Sequence, residues 1–172
     1  GAMHSQSHVR VGGAAWTGPR CFLACRRGLV SRDLERHAPF HSLSADAVHK
    51  GQFKWSGITA LGSKLFAAPF RAPMLLVVET LAGSMHGNST NKVFFYVTSR
   101  DQARWSGIAA LGSQLFAAPS HAPVLLVVET LAGSVRGNST NAVITGIAKW
   151  SGIAALGSKL FAAPFWEVLL VV

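Results

Sequence analysis

Acidic residues are scarce: 7 Asp and Glu stand against 16 Lys and Arg in 172 residues. So few carboxylates leave little material for paired acid–base chemistry or for an oxygen-rich cation site. Two cysteines, Cys21 and Cys25, are too few for a disulfide framework and read as free thiols, with a spacing that would suit one face of a helix. No apolar run reaches the roughly 20 residues a bilayer-crossing helix needs. The runs 75–78 and 125–128 each stop at a glutamate, Glu79 and Glu129. A membrane span is therefore not expected. Gly-x-Ser-x-Gly elbows, phosphate-binding loops and dinucleotide fingerprints are also missing from the sequence. Charged residues make up 13% and hydrophobic residues 49%, which excludes the composition of a disordered chain.

The formal charge of +9 is spread, with +5 over residues 1–54 and +4 over residues 55–172. A nucleic-acid surface concentrates Lys and Arg on one element, and beyond Arg26-Arg27 there is no such cluster. Nucleic acid is not an expected partner.

What the sequence does have is repetition. Residues 55–90 match residues 105–140 at all but seven of 36 positions, and a third copy starts at Trp150. Each copy reads as short strands separated by turn residues: 55–61, closed by Gly62-Ser63; 64–69; and 74–80, whose continuous apolar run suits a strand buried on both faces. Ala82-Gly83-Ser84 supplies a turn, and a fourth strand is expected at 93–98 and 143–147. Trp55, Ile58, Leu61 and Leu65 also have helical spacing, but Gly57 and Gly62 inside a helix would each cost about 1 kcal/mol relative to alanine. Strands are the reading adopted.

The boundaries follow. Residues 1–2 read as the remnant of a removed purification tag, and 3–45 as a basic N-terminal arm resembling a transit peptide, rich in Arg and poor in acids, with organelle import as its implication. The repeat domain covers 46–172: 46–54 as a closing strand, 55–104 as copy one, 105–149 as copy two and 150–172 as partial copy three. Residues 46–55 parallel 141–150, so 46–53 could complete the last unit.

Four short strands per unit at periods of 50 and 45 residues is the pattern of β-propeller blades. The expected fold is all-β, with propeller-like repeats, three blades per chain. The copies, with Lys54 to Ile58, Lys64 to Phe70 and Leu75 to Thr80 as motifs, resemble uncharacterised propeller-like Trp-Ser-Gly-Ile repeat proteins of marine algae and protists. That resemblance carries a fold and no activity. Three blades are too few to enclose a channel, so a homodimer forming a six-bladed ring is expected.

Candidate site residues are few. Glu79 and Glu129 are repeat equivalents that could present carboxylates at a propeller axis, although a strand-end charge that blocks edge pairing explains them more simply. Positions that differ between near-identical copies mark rims where a ligand would be read: Arg71 against His121, and His86 against Arg136. His37 and His41 have metal-ligand spacing, but Pro39 lies between them. No catalytic residue, metal site or cofactor is assigned. Trp55, Trp105 and Trp150 are expected to pack between sheets rather than to stack on sugars. Asn88-Ser89-Thr90 and Asn138-Ser139-Thr140 match the glycosylation acceptor pattern, with the second a product of the duplication. The scarcity of acids favours a non-enzymatic binding or scaffold module, with a protein or glycan ligand, over an enzyme centred on an axial carboxylate or metal.

Overall fold

A computed structural model describes residues 11–17, 20–25, 28–33, 41–94 and 103–172, with side chains placed over 43–93 and 103–172. The tag remnant 1–2 and His37 fall outside the described residues.

The fold is all-β and propeller-like, built of antiparallel sheets in chain order. In copy one, β5 (Trp55–Leu61), β6 (Lys64–Pro69), β7 (Met74–Glu79) and β8 (Ser84–Ser89) form one sheet in that order. Copy two repeats it as β9 (Trp105–Leu111), β10 (Gln114–Pro119), β11 (Val124–Glu129) and β12 (Ser134–Ser139). Copy three supplies β13 (Trp150–Leu156), β14 (Lys159–Pro164) and β15 (Leu170–Val171). These are the three expected blades. A further four-stranded sheet, β1 (Val11–Thr17), β2 (Arg20–Cys25), β3 (Gly28–Asp33) and β4 (His41–Ser44), lies within the segment expected to be a basic arm. Cys21 and Cys25 therefore sit on a strand rather than a helix, and His41 opens β4.

Two expectations about strands need correction. The fourth strand of each copy is β8 or β12, upstream of the apolar segments proposed for it. Residues 93–94 instead end the one-turn helix α1 (Asn91–Phe94), 95–98 lie outside the described residues, and 143–147 form no strand. Pairing decides this: Val77 faces His86 and Leu75 faces Asn88, so a polar strand is held by the ladder of its neighbour and stays exposed at the edge. Residues 46–53 form no strand either. A turn closes there, with the Val48 and His49 amides donating to the Ala45 carbonyl at 3.1 and 3.2 Å.

The core lies between sheets. Phe66, Ala68, Leu75 and Val77 of the second sheet meet Trp105, Ile108, Leu115, Val124, Leu126 and Val128 of the third. The other face of the third sheet, with Phe116, Leu125 and Val127, packs on Trp150, Leu160, Ala162 and Leu170 of the fourth. A strand squeezed from both sides has no polar face, which is why β7 and β11 read as unbroken apolar runs.

First strands stand next to one another: β1 beside β5, β5 beside β9, β9 beside β13. A Cβ on Gly57 would lie 2.5 Å from the Gly107 Cα, and one on Gly107 would lie 2.8 Å from the Gly152 Cα. Gly57 and Gly107 also hold φ of +72° and +88°, so glycine is required there for both space and conformation. Among the described residues no helix is long and apolar enough to cross a membrane.

Candidate functional site

Each of the three repeat sheets is entered through the same three residues, a cation, a tryptophan and a serine, and this entry is fixed by buried polar contacts. The indole N–H groups of Trp55, Trp105 and Trp150 donate to the carbonyls of Met74, Val124 and Val168 at 2.9, 2.9 and 2.8 Å. Trp105 and Trp150 have no solvent exposure, so they are packing residues with a satisfied N–H. Ser106 donates to the Trp150 carbonyl at 2.5 Å, tying the third sheet to the fourth.

Lys54, Arg104 and Lys149 precede the tryptophans and are only 2–3% exposed. Arg104 donates through one terminal nitrogen to the carbonyls of Arg71 and Ala72, both at 3.1 Å. Lys149 reaches the repeat-equivalent Ala122 carbonyl at 2.5 Å and that of Gly146 at 3.5 Å. Lys54 bonds the Asp46 carboxylate. Removal from water pushes the pKa values of Arg104 and Lys149 down, and the Lys54 hydrogen bond holds Asp46 below the usual carboxylate value. The backbone follows the same route, with the Arg104 and Lys149 amides donating to Phe70 and Ser120 of the preceding sheet at 2.8 and 3.0 Å. Phe53 and Ala148, one residue before two of these cations, hold φ of 54° and 52°. Strained backbone at that point marks a tightly specified entry into the sheet. These cations staple sheet to sheet. Sequence reading missed them, although a basic residue before the tryptophan that opens each repeat was the available signal.

The first-strand row is lined by backbone and small side chains at its closest approach. Glu79 and Glu129 end β7 and β11, which the strand order places two strands away from β5 and β9. Neither lies on the row of first strands. Glu79 pairs with Lys64 at 2.8 Å, and Glu129 accepts from Gln114 and from Arg136 at 3.4 Å. Both also occupy strand ends, where charge discourages edge pairing.

The variable positions separate into two places. Arg71 and His121 lie on the loops after β6 and β10: the Arg71 guanidinium lies 5.0 Å from the centre of the Phe53 ring, and His121 Nδ1 is 3.2 Å from Ser120 Oγ. His86 and Arg136 lie exposed on the outer strands β8 and β12, where Arg136 also donates to Asn138 at 2.9 Å.

One of these places is concave. A groove of about 400 Å³ opens between the second and third sheets at their hairpin end. Lys64, His86 and Asn88 give it a polar wall, and Leu61, Phe66, Val77 and Val128 an apolar floor. Leu131, 90% exposed at the tip of the β11–β12 turn, forms its lip. Glu129 borders the groove, but by strand alternation its carboxylate lies on the opposite face, with Leu125 and Val127. The groove thus unites Lys64 and His86, both variable between copies, with Asn88, singled out in the sequence only as a glycosylation acceptor, and Leu131, which sequence reading did not select. A leucine placed in a turn in both copies, Leu81 and Leu131, was the signal available. Among the described residues no group of three or more His, Cys, Asp and Glu side chains is arranged to hold a metal.

No family model and no curated relative matches the sequence. Among solved structures the chain is similar to the computationally designed Ika4 protein, with TM-score 0.63 and 9% identity over 97% of this chain and 93% of that one. Myxococcus xanthus glutaminyl cyclase matches with TM-score 0.60 and 16% identity, over 97% of this chain and 75% of that one. The extracellular domain of the putative one component system BT4673 from B. thetaiotaomicron gives TM-score 0.68 and 13% identity over 98% of this chain, which spans only 22% of that domain. At these identities the likeness shows the propeller-like fold alone.

Proposed function

We propose that the chain is a non-enzymatic binding or scaffold module of β-propeller type, self-associating as a homodimer, with the groove between its second and third sheets as the ligand contact. The groove carries the reading. It combines an apolar floor with a few directional polar groups, Lys64, His86 and Asn88, which is the usual make-up of a recognition site. An exposed leucine lip suits a protein segment or the apolar face of a sugar. The two copies differ at the groove's polar positions, Lys64 against Gln114 and His86 against Arg136, as expected where ligand choice is set outside a common framework. The same proposal places the chain with the Trp-Ser-Gly-Ile repeat proteins of marine algae and protists, on the repeated motifs alone.

The test is a peptide and glycan array probed with the labelled full chain, alongside His86→Ala, Leu131→Ser and Arg71→Ala variants. The expected result is a set of binders lost with the first two variants and kept with Arg71→Ala. Absence of any binder, or binders indifferent to His86 and Leu131, would overturn the groove.

A further inference from the structure

The fourth sheet presents to solvent the same apolar surface that the third sheet buries. The pairing of Phe161 with Val171 reproduces that of Phe116 with Val127. Leu169 and Val171 therefore stand where Leu125 and Val127 stand. Leu125 and Val127 are 1% and 0% exposed beneath the fourth sheet, whereas Leu169 and Val171 are each 50% exposed. Leu156, the equivalent of half-buried Leu111, is 74% exposed, and Ala163, the equivalent of buried Ala118, is also exposed. Phe165 and Trp166, just beyond β14, are 60% and 72% exposed. Contiguous apolar surface on this scale marks an interaction face.

The chain itself states what covers such a face. Twice in succession, β5 to β9 and β9 to β13, this surface is met by the following sheet, first strand beside first strand and glycine against glycine. Gly57 faces Gly107 and Gly107 faces Gly152, but Gly152 has nothing within 4 Å of where its Cβ would lie. The complementary first strand at the other end of the row is β1. It neighbours β5 as β5 neighbours β9, and it carries Gly12-Gly13 at its own register irregularity. The Val11–Gly13 irregularity falls in β1 where the Trp150–Gly152 irregularity falls in β13, so Gly13 holds the register position of Gly152.

We infer that the open face of the fourth sheet, centred on Leu156, Leu169 and Val171, docks the β1–β4 sheet of a second copy of this chain. This rests on the homodimer reading and specifies its contact. The interface is heterologous, joining the last sheet of one protomer to the first sheet of the other, and two such contacts related by a twofold axis close the assembly. With four sheets per chain among the described residues, the closed ring contains eight sheets instead of the six expected from the repeats alone.

The test is absolute mass by light scattering on a sizing column across a dilution series, for the wild-type chain, Leu169→Glu, Val171→Glu and Leu81→Glu. Leu81 is 90% exposed on the second sheet and serves as an equally apolar surface control. Circular dichroism of each variant checks folding, and the substituted positions are exposed enough within one chain to accept a charge. The expected result is a wild-type mass of twice 18.2 kDa, retained by Leu81→Glu, with dimer affinity weakened about a hundredfold or more in the two end-face variants. A wild-type dimer unaffected by Leu169→Glu and Val171→Glu would overturn the face while leaving the homodimer standing. A monomer at every concentration would overturn both, and open-ended polymers would overturn the closed ring.

Discussion

Gly57→Ala tests the row of first strands directly. At φ +72°, any residue with a Cβ carries the left-handed penalty of roughly 1–2 kcal/mol. The new methyl would also lie 2.5, 3.1 and 3.2 Å from the Gly107 Cα, N and C atoms. All three contacts are backbone, so no rotamer change relieves them and the second and third sheets must separate. Forcing a methyl into a packed interior costs about 1–3 kcal/mol. The total is about 2–5 kcal/mol, a large part of the roughly 5–15 kcal/mol by which a domain is stable. Gly62→Ala is the internal control. Its φ is +60° and nothing lies within 4 Å of the new Cβ, so it carries the conformational penalty alone. Equilibrium urea unfolding at fixed protein concentration reads both losses, with equal m values confirming a common unfolding reaction. If the two variants lose the same stability within about 0.5 kcal/mol, the first strands do not touch as described.

Three further outcomes follow from buried contacts. Trp105→Phe removes the donor to the buried Val124 carbonyl and should cost about 1–3 kcal/mol for that acceptor alone, with lost volume in addition; Trp55→Phe, at a partly exposed position, should cost less by the same urea assay. Lys149 has a folded pKa below its ordinary 10.5, so between the two values the unfolded chain binds more protons and stability rises with pH. That rise, measured as unfolding free energy against pH just below 10.5, should shrink in Lys149→Met. Asp46 gives the same sign in the acid range: its lowered pKa contributes stability above the ordinary carboxylate value of 3.8 that is lost as pH falls through the folded value. Acid titration of Asp46→Asn should flatten this limb, and an unchanged limb would remove the Lys54–Asp46 pair from the account.

Legibility tracked how local each cause was. The strands β5, β6 and β7 follow from apolar runs closed by turn residues, and the repeat made each reading three times over. The strand β8 was misplaced because Ser-Met-His-Gly-Asn-Ser has no apolar pattern of its own, and its conformation is imposed by the ladder from β7. The N-terminal sheet shares no readable repeat with the others, so self-similarity gave no hint of it. His86 stood out as a position that differs between copies; Asn88 shares its strand face two residues on, and Leu131 joined them only through the approach of the third sheet.

By itself, then, the sequence determined the repeat unit, its turns, the strands buried on both faces and the all-β class, because these depend on neighbours a few residues apart. Only the tertiary structure decided what stacking produces. It turned the basic residue before each repeat's first tryptophan into a buried staple, since the carbonyls Arg104 and Lys149 reach lie 27 to 33 residues away. It set Glu79 and Glu129 two strands away from the row of first strands, since that separation is fixed by strand order in the sheet. It left Leu169 and Val171 open where Leu125 and Val127 are covered, since identical side chains take their burial from the sheet that packs on them.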